Sequence, residues 1–345
     1  MACPECVDLI ISVVLEIKQL LNLEVAMLFL NKHEIQKMDQ NTIQTAVEKA
    51  YRLVISQQYN MPDRMHVADN QNMLLLMPCF SEKFFATKIV SVFPEAQQHG
   101  QPAVNGVMIL SDNISGKPLA IMDGAAITAQ RTGAVGGLGV KLLTSEGVRT
   151  AGILGAGVQG LSQARYLLFN RKMIKTLYIY DLYKDSAISM SNTLKKEYPN
   201  IEYVIADHPD HLVENSSVII AATTSKKPLF EGSGDDIRGK TFISIGSFRP
   251  DMQEFPDIVI ETADDVFVDT LFAARESGDI AGPLKDHVVT KDKIKEFAGL
   301  LEKNIYLKDK TIFFKSVGMA LFDLTVSTAI YQMAMENNIG QRLDF

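Results

Sequence analysis

From Thr150 to Gly160 the chain reads Thr-Ala-Gly-Ile-Leu-Gly-Ala-Gly-Val-Gln-Gly, an apolar run, a glycine turn and the opening of a helix. That spacing suits the pyrophosphate of a dinucleotide. Gly155 permits the tight turn, Gly157 lets the pyrophosphate approach the backbone, and Gly160 lets the helix from about Val158 pack on the strand. The N–H groups of Val158 and Gln159, at a helix N-terminus, face the phosphate charge. A second apolar run, Thr176 to Tyr180, ends in Asp181. An acid about twenty residues past such a turn can accept from both ribose hydroxyls. A carboxylate also repels a 2′-phosphate, and no arginine follows at once, so Asp181 favours NAD over NADP, although Lys184 is close by.

Lys88 sits in the apolar stretch Phe84 to Val92. Desolvation and neighbouring cations there would lower its pKa and suit it to proton transfer, the alternative being an edge-strand lysine in solvent. His208 and His211, with Asp207 and Asp210, imitate a metal cluster but fall in a loop after a strand, where a solvated polar turn is favoured. Asp235-Asp236 and Asp264-Asp265 read as helix caps and loop charges. No metal site is expected.

The 345 residues allow about two domains, and 47% hydrophobic with 22% charged residues is ordinary for a soluble globular protein. The formal net charge of −7 offers no footprint for nucleic acid or anionic membrane. Cys3, Cys6 and Cys79 form no disulfide framework and suit a reducing compartment, hence a cytoplasmic location. Leu9 to Leu15 is too short for a membrane span, and no basic start of a signal peptide precedes it.

Residues 1–24 read as an added amphipathic helix that packs on a core or a partner subunit. A strand over Val25 to Leu30 and helices near 32–38 and 42–57 follow. Then come strands at 64–67, 72–78, 84–92, 104–110 and 118–123, with a hairpin-like turn at 111–117, an antiparallel α+β unit. A long helix over 125–143 contains Gly133, Gly136, Gly137 and Gly139, which implies close packing. From Thr150 onward strands near 150–154, 176–180, 202–205, 217–221, 241–245 and 265–268 alternate with helices, the doubly wound parallel pattern. A strand at 311–314 and an apolar helix from Met319 to about Met335 close the chain, and the helix is expected to return to the first domain.

Several separated motifs then resemble one family. Phe85-Ala86-Thr87-Lys88-Ile89-Val90, Asp123-Gly124 with Thr128 to Ala134, the glycine turn, and Phe314 to Ala320 with Asp323-Leu324 occur in the order seen in the ornithine cyclodeaminase and mu-crystallin family. The similarity runs from about Met27 to the C-terminus.

The resemblance implies an α/β fold: a Rossmann-type domain at 135–315, and an α+β substrate-binding and dimerisation domain formed from both chain ends, 1–134 and 316–345. It also implies a homodimer and hydride exchange between a nicotinamide and the Cα of a small amino acid or its imine. Arg131 matches the position that holds the substrate carboxylate, a task suited to a guanidinium's two parallel N–H groups. Arg64 matches a second arginine nearby, Lys88 belongs beside the carboxylate and the reacting nitrogen, and Met77 falls where the family lines the pocket. Ala222, Thr223 and Thr224 end a strand where the family passes the adenosine and ribose, and Ser316 matches a position near the nicotinamide.

One departure matters. Cyclodeaminases carry an acid in a late loop to handle the substrate amino group, and alignment on Pro250 and Glu254 puts Phe248 there, with Asp251 a few residues on. Imine reduction or amino-acid oxidation is therefore the first expectation and ornithine cyclodeamination the second. A non-catalytic ligand-binding protein, as the mu-crystallin branch suggests, is the reading of another class; retention of Arg131 and Lys88 speaks against it.

Overall fold

The computed structural model describes residues 26–302 and 309–344. The expected helix over 1–24, Val25, Cys3 and Cys6 lie outside them. Two compact units emerge: residues 1–37, 60–127 and 327–345 form one, and residues 38–59 and 128–326 the other.

The first unit is built on a seven-stranded sheet. Its members are β1 (Ala26–Leu30), β2 (Met65–Asp69), β3 (Asn72–Phe80), β4 (Phe84–Val92), β5 (Val104–Asp112), β6 (Pro118–Asp123) and, from the far end of the chain, a strand at Gln341–Asp344. β2 to β6 form an antiparallel meander, as the turn residues between them predict. The expectation of a wholly antiparallel unit needs correcting, because β1 pairs with β6 in parallel. Two helices, Lys32–Gln36 and Gln40–Ser56, follow β1, so the chain has the crossover length that parallel pairing requires. The strand at Gln341–Asp344, which no sequence signal announced, pairs antiparallel with β1 and brings the C-terminus back to this sheet.

One face of the sheet is buried. Along a single cross-strand row stand Met77, Lys88, Met108, Met122 and Leu30, each at most 5% exposed. The opposite face is also apolar but partly open, with Phe29, Met65, Val67 and Val107 each more than a third exposed.

The second unit carries an eight-stranded parallel sheet. In chain order its strands are β7 (Thr150–Leu154), β8 (Thr176–Tyr180), β9 (Glu202–Ile205), β10 (Val218–Ala221), β11 (Thr241–Ser244), β12 (Asp265–Val268), β13 (Ile294–Glu296) and β14 (Ile312–Lys315), which makes the C-terminal strand β15. From β7 the chain runs outward through β8 and β9, then returns to β10 and β11 on the other side. That reversal makes a topological switch point beside β7, where open α/β sheets bind ligands at their carboxyl ends. β10, β11, β12 and β14 are buried at every position, as strands covered on both faces must be. Leu154, Phe242, Phe255 and Phe313 anchor the core on one side. Among the described residues no helix is long and apolar enough to cross a membrane.

Candidate active site

At the switch point, β7 ends in the glycine turn. Gly155 adopts φ +97°, a conformation costly for any residue with a Cβ, and its own Cβ would lie 2.7 Å from the Ala222 carbonyl. A Cβ on Gly160 would collide with the Gly155 carbonyl, so the helix Val158–Asn170 rests directly on the turn. At Gly157 a Cβ would meet nothing within 4 Å. Gly157 is also the N-cap of that helix, and no side chain caps it. The first-turn N–H groups of Val158 and Gln159 therefore face open space with the positive end of the helix dipole behind them, an arrangement that suits a phosphate.

Asp181 leaves the end of β8 and turns back to this loop. Its Oδ2 accepts from the Ala156 N–H at 2.7 Å and its Oδ1 from the Tyr183 N–H at 2.8 Å. Both oxygens keep lone pairs for ribose hydroxyls. Lys184, the one nearby cation that argued for a phosphate, is engaged instead with Asp207 at 2.8 Å. His211 packs edge-on against Tyr178, and among the described residues no group of three or more His, Cys, Asp or Glu is arranged for a metal ion.

Thr223 and Thr224 follow β10 on the same carboxyl edge. The Thr223 hydroxyl donates to Glu254 Oε1 at 3.0 Å. Ser316 follows β14 there, and its hydroxyl donates to Asp269 Oδ2 at 2.7 Å. Asp269 is buried; the same oxygen accepts from Val317 N–H at 3.0 Å and Gly318 N–H at 2.9 Å, while Oδ1 accepts from the Tyr51 hydroxyl at 2.7 Å. Desolvation pushes the Asp269 carboxyl up, and these donors with the Arg131 charge oppose that.

Arg131, in the helix Gly124–Leu143, is 7% exposed and donates from Nε to Asp323 Oδ1 at 3.1 Å. Asp323 is fully buried in the helix Ala320–Glu336. With Nε so held, the guanidinium plane is fixed before any anion arrives. Gly318, at φ +73°, lies against the Arg131 Nη1, and a Cβ there would overlap it. Asp323 has a motif place but no role in the sequence, and Asp269 has neither. The available signal was an acid abutting apolar runs, Val266 to Val268 and Ala320 to Phe322.

In the first unit, Met77 and Lys88 are direct cross-strand partners on the buried face. Arg64 lies one residue before β2, outside the paired register. Met77 and Lys88, picked from separate segments, thus share one row of one sheet. Lys88 is 2% exposed, not an edge lysine in solvent. In the late loop, Phe248 is 47% exposed, and Asp251 pairs with Arg249 at 2.9 Å and Lys226 at 3.1 Å. The hydrogen bond and charge of Lys226 and the charge of Arg249 hold the Asp251 carboxyl below the usual range.

The model of the ornithine cyclodeaminase/mu-crystallin family matches residues 25–338. The chain belongs to that family. A Delta(1)-pyrroline-2-carboxylate reductase of Bacillus cereus is 32% identical over 287 residues, 81% of this chain and 86% of that protein. Among solved structures, the Delta(1)-pyrroline-2-carboxylate reductase of Thermococcus litoralis, in complex with NADH and L-proline, superposes with a TM-score of 0.84 at 29% identity, covering 92% of this chain and all of that one. An archaeal alanine dehydrogenase dimer with bound NAD gives the same TM-score at 25% identity, over 93% of this chain and 99% of the other. Family membership accounts for the motif order that the sequence displays.

Proposed function

We propose that this chain is an NAD(H)-dependent oxidoreductase that exchanges hydride at the Cα of a small amino acid or its cyclic imine. The observation that carries this reading is the pre-set Arg131 guanidinium, held at Nε by buried Asp323 in a chain with a dinucleotide-type turn. The similarity to pyrroline-2-carboxylate reductases, one of them solved with NADH and L-proline, points to the same substrate class. NAD supplies or accepts the hydride when bound. Gly155, Gly157, Val158, Gln159 and Gly160 receive its pyrophosphate, Asp181 its adenosine ribose, and Thr223, Thr224 and Ser316 border its remainder. Asp181, which carries the preference for NAD over NADP, is supported by its contact with the turn. Arg131 and Arg64 hold the substrate carboxylate, Met77 lines the pocket, and Lys88 moves the proton at the substrate nitrogen.

Residues 135–315 form the dinucleotide domain in this reading, and 1–134 with 316–345 the substrate and dimerisation domain. A homodimer is supported by the half-open apolar face around Phe29, Met65, Val67 and Val107 and by the dimeric alanine dehydrogenase of similar fold. A reducing, cytoplasmic setting fits the sparse cysteines.

Imine reduction is preferred over ornithine cyclodeamination because Phe248 stands where cyclodeaminases carry an acid and Asp251 is engaged by two cations. The test is incubation with NADH and a panel of cyclic imines, and with NAD and a panel of amino acids, following NADH absorbance and ammonia together. Oxidation of NADH by a cyclic imine is the expected result. Proline and ammonia from ornithine without net NADH would mean cyclodeamination, and tight binding without turnover on any panel member would mean a binding protein.

A further inference from the structure

Beneath the strand ends of the second unit lies a polar cluster that none of these roles uses. Glu254, Asp279 and Lys315 are buried together, the most accessible of them 3% exposed. Glu254 Oε1 accepts from the Thr223 N–H at 2.6 Å and from its hydroxyl at 3.0 Å. Oε2 accepts from the Gly246 N–H at 2.7 Å and the Ser247 N–H at 3.2 Å. Asp279 Oδ1 accepts from the N–H groups of Glu254 and Phe255 at 2.8 and 3.0 Å. Between the acids sits Ser244 Oγ, 2.8 Å from Glu254 Oε2, 2.7 Å from Asp279 Oδ2, and accepting from Lys315 Nζ at 2.9 Å.

Glu254 thus accepts five hydrogen bonds, from Thr223 twice and from Ser244, Gly246 and Ser247. They tie the end of β10 to the end of β11 through one buried side chain, and Asp279 in turn fixes the Glu254 backbone. Burial raises the Glu254 carboxyl and the Lys315 charge opposes it.

We propose that Glu254 is a positioning residue of the dinucleotide site, a buried carboxyl that ties the Thr223 strand end to Gly246–Ser247. The proposal rests on the dinucleotide reading above.

Glu254→Gln sets an NH2 group against two N–H donors and should raise the NADH Kd about tenfold, with a smaller fall in kcat at saturating NADH. Asp279→Ala removes the acceptor that holds the Glu254 backbone and should raise the Kd by a similar factor of about ten. Wild-type NADH affinity in Glu254→Gln overturns the positioning role; if that variant does not fold, wild-type affinity in Asp279→Ala does so. Wild-type protein that binds no NADH overturns the positioning role together with the reading it rests on.

Discussion

At the scale of single residues, the proposed site depends on charges whose geometry is fixed by a neighbour. Asp181 is tied to the turn through Ala156, so its truncation affects both ribose recognition and the loop. Asp181→Ala should weaken NADH by about 1–3 kcal/mol and NADPH by less, since the variant also loses its repulsion of a 2′-phosphate. Parallel fluorescence titrations check this, and equal losses would remove Asp181 from the ribose contact. In the proposed role Arg131 acts through its fork, with Nε bound to Asp323 and the outer nitrogens facing the carboxylate. Arg131→Lys keeps the charge but not the fork, and should lower kcat/KM about a hundredfold with little change in NADH affinity. Undiminished turnover would sink the carboxylate role.

At the scale of elements, the carboxyl edge of the parallel sheet is stitched by acids, each of which accepts from several chain segments. Asp269 joins β12 to the Ser316–Gly318 turn and to Tyr51. At the start of the same strand, Asp265 meets Lys295 and Lys310, each at 2.6 Å. Desolvation pushes the Asp265 carboxyl up, yet the hydrogen bonds and charges of the two lysines outweigh it and hold it below the ordinary value. A depressed folded-state pKa means stability that is present above the unfolded pKa of about 3.9 and lost as pH falls through the folded value. The lysines are partly in solvent, so the contribution is about 1 kcal/mol and weakens with salt. Urea melts should show Asp265→Asn less stable than wild type at pH 6, with the gap closing below about pH 4. A gap independent of pH would dismiss the ion pairs as its source.

For the whole molecule, the two faces of the first sheet present a contrast. Lys88 and its row are buried, while Phe29, Met65, Val67 and Val107 on the other face remain more than a third exposed. A partly exposed apolar sheet face is where association is expected. Sedimentation should give twice the 38.2 kDa chain mass, and Val107→Glu, which puts a charge on that face without disturbing the buried row, should return the single-chain mass. A wild-type protein that sediments as one chain would end the dimer proposal.

The sequence by itself determined what depends on near neighbours. The glycine spacing of 155–160, the acid closing β8 and the mainly apolar parallel strands are local patterns with local causes, so the dinucleotide half was legible in the sequence. Several site residues were also visible as motif members. Tertiary structure alone decided who stands beside whom. Arg131 and Asp323 are 192 residues apart in sequence and meet through helix packing. Met77, Lys88 and Met108 share a row only because of sheet register, and a slip of one residue would send Lys88 to the open face. The parallel pairing of β1 with β6 and the return of the chain end beside β1 are long-range pairings with no local signature. Along the chain Lys315 is a motif member, Glu254 an alignment anchor and Asp279 carries no signal; only their joint burial around one serine hydroxyl makes them one cluster.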